Sequence, residues 1–211
     1  MWTIVSINAD LLYSFGRSYH NHWNKSMEHN FEQAWLLALE ERFGVQAKIA
    51  KVALANLPRM LIYYFEDFPA QGMLTAVTAG LSNANHPKWV HGKPELSFTL
   101  HTKDTGWGSA AAYIAQSFFS DSSFHYQASF KLDQPMSKDS AMNACFVYRP
   151  HFMNEDQIKF ELPDRTIFLA GLFPMYEEEV PMYESLGIQN FWNTPGFDPY
   201  NPRRASIAPK G

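Results

Sequence analysis

Apolar positions in this chain recur every three to four residues, alternate with polar ones, or run together, and each pattern points to a different element. In residues 28–43, Phe31, Trp35, Leu39 and Phe43 stand four apart, with Leu36 and Ala38 widening the stripe. That spacing predicts a helix with one face turned to a core. Ser26 is placed to cap it, Glu28 suits the positive end of its dipole, and Gly44 stops it. Residues 60–65, Met-Leu-Ile-Tyr-Tyr-Phe, read as an aromatic-rich strand. Residues 73–81 form a nearly continuous apolar run, as in a strand buried on both faces. In 95–101, Leu96, Phe98 and Leu100 alternate with polar residues, which predicts a strand with one wet face. Trp107, Ala110, Ala111, Ile114, Ala115 and Phe118 then fall on one helical stripe, placing a helix at 109–119 that can lie on the sheet.

The second half continues in strands. Residues 124–132 alternate loosely, and 142–148 read as a buried strand carrying Cys145. Residues 158–162 and 166–173 flank the tight connection Pro163-Asp-Arg165 and predict an antiparallel hairpin, which Pro174 ends. Glu177, Glu178 and Glu179 precede a short helix with Pro181 in its first turn and Gly187 at its end. From Asn193 onward, Pro195, Pro199, Pro202 and Pro209 predict an extended tail. At the other end, residues 2–7 read as a short strand and 10–15 as a brief helix, followed by a polar loop with His20 and His22. For 46–55 the pattern leaves helix or strand open.

Composition narrows the function. Hydrophobic residues make up 46% of the 211 positions and charged ones 18%, ample for a packed core, and the strands and helices above make that core α+β. Aromatics at 16% suit a thick core or a surface with aromatic anchors. A formal net charge of −4 without any Lys/Arg run argues against binding a nucleic-acid backbone, which takes clustered cations. The single Cys145 rules out an internal disulfide, and inside Asn-Ala-Cys-Phe-Val it reads as a small hydrophobe. The first ten residues lack a basic start and meet Asp10 early, unlike a signal peptide. No stretch is long and apolar enough to span a membrane, so a cytoplasmic protein is expected. His20, His22 and His29 offer too few well-spaced ligands for a metal site. Phosphate-loop, dinucleotide, nucleophile-elbow and zinc-protease motifs are all missing, so no catalytic residue and no cofactor are expected.

Two blocks carry a resemblance. The first is Thr78-Ala-Gly-Leu-Ser82 closing a strand, then Glu95-Leu-Ser-Phe-Thr-Leu100, then a Trp-led helix. The second is Leu172-Phe-Pro-Met-Tyr-Glu-Glu-Glu-Val-Pro-Met-Tyr-Glu-Ser-Leu-Gly187. In order and spacing they resemble the Suppressor of fused domain family, in its bacterial branch, over residues 57–193. Residues 1–56 then form an N-terminal helical extension and 194–211 a Pro-rich tail. The resemblance implies a mixed, largely antiparallel sheet with helices packed on it. It also implies a non-enzymatic domain that binds another protein, either an extended peptide or, as an immunity protein, a toxin domain. Strand order in the family places the Thr78, Gly80, Leu81, Ser82, Asn83 segment near the turn holding Asp104 and Trp107. Glu177, Glu178 and Glu179 would extend that surface as an acidic patch. Trp107 is also expected to plug the core. The alternative is a small-molecule or carbohydrate module using Trp89, Trp107, Tyr176 and Trp192.

Overall fold

The computed structural model describes residues 4–7, 23–52 and 59–209. The helix expected at 10–15 and the His20 and His22 loop lie outside them, as does the side chain of His29. The strands are β1 (Ile4–Ile7), β2 (Lys48–Val52), β3 (Met60–Glu66), β4 (Leu74–Ala79), β5 (Lys93–Leu100), β6 (Ser129–Lys131), β7 (Ala144–Tyr148), β8 (Lys159–Glu161) and β9 (Thr166–Met175). The helices are α1 (Trp23–Phe43), α2 (Gly106–Phe118) and α3 (Val180–Trp192), with short 3₁₀ turns at Leu81–Asn83 and Glu177–Glu179.

One sheet takes all nine strands, in the order β1-β2-β3-β4-β5-β9-β7-β6, with β8 beside the first part of β9. Every pairing is antiparallel except β5 with β9. A parallel pair needs a long crossover, and here α2 and β6 to β8 supply it. The segment before residue 57 adds strands as well as a helix: β1 and β2 extend the common sheet. The open reading of 46–55 resolves to strand at β2.

Helices cover both faces. Phe31, Trp35, Leu39 and Phe43 of α1 pack on Leu61, Tyr63, Phe65, Val77 and Leu169. On the opposite face, α2 packs on Ile62, Tyr64, Ala76, Leu96, Phe98 and Leu172. Val180, Tyr183 and Phe191 of α3 cover Phe146 and Phe173, on the α1 side of β9. Strands β3 and β4 therefore face helices on both sides, and their apolar residues are buried throughout.

The structure departs from the pattern in several places. Glu95 and Ser97 are buried, so β5 has no wet face: it lies mid-sheet between β4 and β9, with both faces covered. Helix α1 starts at Trp23, which puts Ser26 and Glu28 inside it rather than at its N-terminus. Pro174 does not end β9; it pairs with Cys145. The β5 ladder has already stopped at Leu172, so no neighbour on that side needs its missing N–H. Gly187 kinks α3 (φ 69°, ψ 164°) and the helix resumes to Trp192. Of residues 124–132 only Ser129–Lys131 is strand.

Candidate functional site

At the C-terminal end of β4 a carboxylate organises the backbone. Glu95 is fully buried. Its Oε2 accepts from Thr78 Oγ1 at 2.6 Å, and its Oε1 accepts from the N–H of Gly80 and of Ser82, each at 2.9 Å. Thr78 Oγ1 in turn accepts from Leu96 N–H at 2.8 Å. Burial pushes the Glu95 carboxyl above its ordinary value, against the hydrogen bonds from Thr78, Gly80 and Ser82. Gly80 (φ 143°) turns the chain here, and a Cβ on it would lie 3.3 Å from the Arg59 carbonyl oxygen. Arg165 closes the corner: its Nη1 donates to Ser82 O at 3.1 Å and Asn83 Oδ1 at 2.7 Å, and its guanidinium lies 4.3 Å from the Phe31 ring centroid. Of the segment expected at the surface, Asn83 is exposed and Gly80 half-buried, while Thr78, Leu81 and Ser82 are buried. Their side chains build the corner and present no surface.

The turn with Asp104 and Trp107 is not beside them. Strands β4 and β5 are antiparallel, with Leu74 opposite Leu100 and Val77 opposite Ser97. The residues after Ala79 and those after Leu100 therefore leave opposite ends of the ladder, about 20 Å apart at strand rise. The two strands are neighbours as expected; their directions separate the two loops. Asp104 caps its own turn: Oδ1 accepts from Gly106 N–H at 2.9 Å, and Oδ2 from Ser137 Oγ at 2.7 Å and Lys138 N–H at 3.0 Å. Desolvation raises its carboxyl, but these bonds outweigh it and hold the group below the ordinary value. Trp107 is 1% exposed, packs edge-on to Phe98, and donates from Nε1 to Asp139 Oδ1 at 3.1 Å. It is a core residue, not a contact for a partner.

The glutamates lie at this same end, because β9 runs parallel to β5. Only Glu177 and Glu178 are exposed. Glu179 is fully buried and holds Arg204 in a two-pronged pair at 2.6 and 2.7 Å, while Ile207 N–H and Tyr176 N–H donate to it as well. The acidic patch shrinks to two residues, and Glu177 already lies 3.8 Å from Lys131.

A surface trough of about 370 Å³ opens instead along the loop before β5. Trp89, Phe124, Tyr126 and Phe168 line it, with Lys88, His91 and His125. Trp89 Nε1 donates to Ser123 O at 3.1 Å, which ties the two loops together. Gly92 (φ 156°) lets the Phe168 ring cross its backbone, where a Cβ would sit 2.5 Å from the ring. The sequence pattern singles out Trp89 but not its neighbours. They come from four segments with no shared period.

Catalytic chemistry finds little support among the described residues. No group of three His, Cys, Asp or Glu is placed there to hold a metal. Cys145 is fully buried and burial raises its thiol, the opposite of an activated nucleophile. Among the same residues no helix is long and apolar enough to cross a membrane.

No family model matches this sequence, and no curated protein matches it. Its architecture, by contrast, is found among solved structures. A Suppressor of fused homolog from Neisseria gonorrhoeae superposes with a TM-score of 0.67 at 13% identity, over 86% of this chain and 98% of that one. This chain has the Suppressor of fused fold. Suppressor of fused from Drosophila matches with a TM-score of 0.56 at 14% identity, over 83% of this chain, which spans half of that protein. The Suppressor of fused structure solved as a Sufu–Fu complex gives 0.61 at 14% identity, over 83% and 91% of the two chains. Identities this low carry the fold alone.

Proposed function

We propose that this chain is a non-enzymatic protein-interaction domain. The observation that carries the reading is its shared fold with a Suppressor of fused chain solved in complex with a protein, Fu. The buried, raised thiol of Cys145 supports it, since this cysteine is unsuited to nucleophilic catalysis. The finer reading, drawn from the resemblance in sequence, is a bacterial immunity protein acting in the cytoplasm, its partner a toxin domain. Of the residues that the resemblance points to, Asn83, Glu177 and Glu178 are exposed and Gly80 and Asp104 half-buried; they fall at two ends of the sheet, so one partner surface takes either Gly80 and Asn83 or Asp104, Glu177 and Glu178.

The test is calorimetric titration of the purified chain with the toxin domain encoded beside its gene, together with co-expression of the two. A saturable complex and restored growth are expected. If neither occurs, the immunity reading fails. If no partner protein identified by cross-linking binds the purified chain, the broader interaction reading fails with it.

The trough lined by Trp89 and Tyr126 favours a second reading, a small-molecule or carbohydrate module. It draws nothing from Trp107, which is buried, or from Tyr176, whose hydroxyl donates to Arg204 O at 2.6 Å. A ligand-induced rise in melting temperature with sugars or metabolites, lost on changing Trp89, would support it over the first.

A further inference from the structure

Residues 197–207 lie against the body as an extended peptide lies in a receptor, with no helix or strand among them. Glu179 is held ready by the Tyr176 N–H, which donates to its Oε2 at 3.0 Å. Arg204 meets this buried carboxylate with both Nη atoms, at 2.6 and 2.7 Å, and its guanidinium lies 5.7 Å from the Tyr176 ring centroid. The main chain is gripped at three points. Tyr200 O accepts from His101 N–H at 2.8 Å, Arg204 O from the Tyr176 hydroxyl at 2.6 Å, and Ile207 N–H donates to Glu179 Oε1 at 2.8 Å. Phe197 and Ile207 pack on the cluster of Phe146, Phe173, Tyr183 and Phe191. Main-chain hydrogen bonds with separate side-chain pockets are the means by which folded domains recognise extended segments.

A turn folds this segment back onto its own body. Phe197 N–H donates to Thr194 O at 3.0 Å across Pro195 and Gly196. Gly196 has φ 88°, which that third turn position reserves for glycine, and a Cβ there would lie 3.3 Å from Ile207 Cγ2. We infer that the receptor under α3 also accepts this segment from a second copy of the chain, giving a dimer whose tails are exchanged across the Thr194–Phe197 turn. The second copy is the partner whose fit the structure displays, since it carries the same arginine, the same apolar anchors and the same main-chain groups. Every contact of the segment with the body is remade on exchange. The closed and exchanged forms therefore differ at the turn and in the freedom lost on association. Release of the segment strips the buried Glu179 of its guanidinium, so the two forms interconvert slowly and populations set during folding persist. The inference stands apart from the interaction reading above, whose partner is a different protein, and either can fail alone.

Sedimentation of the full chain, refolded from denaturant at rising concentration, should show a growing dimer fraction. Gly196→Ala should raise the association constant about tenfold or more, because a left-handed alanine strains the closed turn. A synthetic peptide of residues 194–209, present during refolding, should lower the dimer fraction by filling the same receptor. The same peptide carrying Arg204→Ala should leave it unchanged. Monomer at every concentration in both chains overturns the proposal. So does an association constant that Gly196→Ala leaves unchanged, since the turn is then not the hinge. A dimer that neither peptide lowers has its interface elsewhere, and one that both lower equally does not use the arginine; each result overturns the proposal. If Gly196→Ala does not fold, the unsubstituted chain and the two peptides decide.

Discussion

Glu95 shows how one side chain answers for a turn. Three donors converge on a carboxylate that forms no ion pair among the described residues. Its folded value lies above the ordinary 4.5 because of burial. Between the two values the native state keeps a proton that the unfolded chain has lost. Its contribution is full below the unfolded value and is lost as pH rises through the folded one. Urea unfolding across acid to neutral pH should therefore show a falling component that Glu95→Gln removes. The glutamine oxygen can still accept from Gly80 and Ser82, so the variant should fold. An unchanged pH profile would mean that Glu95 titrates normally. Trp107 is a second single-residue case. Truncation to Ala removes an indole packed against Phe98 and takes its donor from Asp139 Oδ1, and should cost about 3–5 kcal/mol in equilibrium unfolding. A loss under about 1 kcal/mol would return it to the surface.

Among elements, β5 and α3 teach the most. An alternating pattern reads as half-exposed only when one face meets water; β5 is flanked by β4 and β9 and covered on both faces, so its polar residues are satisfied inside. Ser97 Oγ donates to Ala170 O, and Thr99 bonds Thr75 across the ladder at 3.0 Å. In α3, Gly187 adopts a backbone conformation almost confined to glycine, and a Cβ placed there would meet nothing within 4 Å. Gly187→Ala should therefore cost about 1–3 kcal/mol through backbone conformation, not through a clash. Thermal unfolding checks this, and an unaffected melting temperature would show that the kink relaxes freely. The helices α1 and α2 are legible in the sequence because their stripes are long and regular. The hairpin of β8 and β9 is legible because its turn is short and local.

For the whole molecule, the Pro-rich tail is part of the body. Arg204 is 3% exposed in its side chain and pairs with Glu179, while Phe197 and Ile207 pack on the cluster under α3. Tyr200 O accepts from His101 N–H at 2.8 Å, tying the tail to the end of β5. Breaking a buried pair by removing one partner leaves the other charge uncompensated, so Arg204→Ala should destabilise by about 3–5 kcal/mol. Limited proteolysis should then cut within residues 193–209 first. Resistance equal to the unsubstituted chain would show that the apolar contacts alone hold the tail. By itself the sequence determined the α+β class, both amphipathic helices, the aromatic-rich strand β3, the buried β4 and β7, and the inert setting of Cys145, because each follows from the pattern along the chain. Tertiary structure decided the rest. Whether Glu95, Glu179, Thr78 and Ser82 face water or a partner inside depends on residues far along the chain, Arg204 lying 25 positions from Glu179. Strand direction, not strand adjacency, sent Gly80 and Asp104 to opposite ends. The trough exists only where four separate segments meet, and no periodicity records such a meeting.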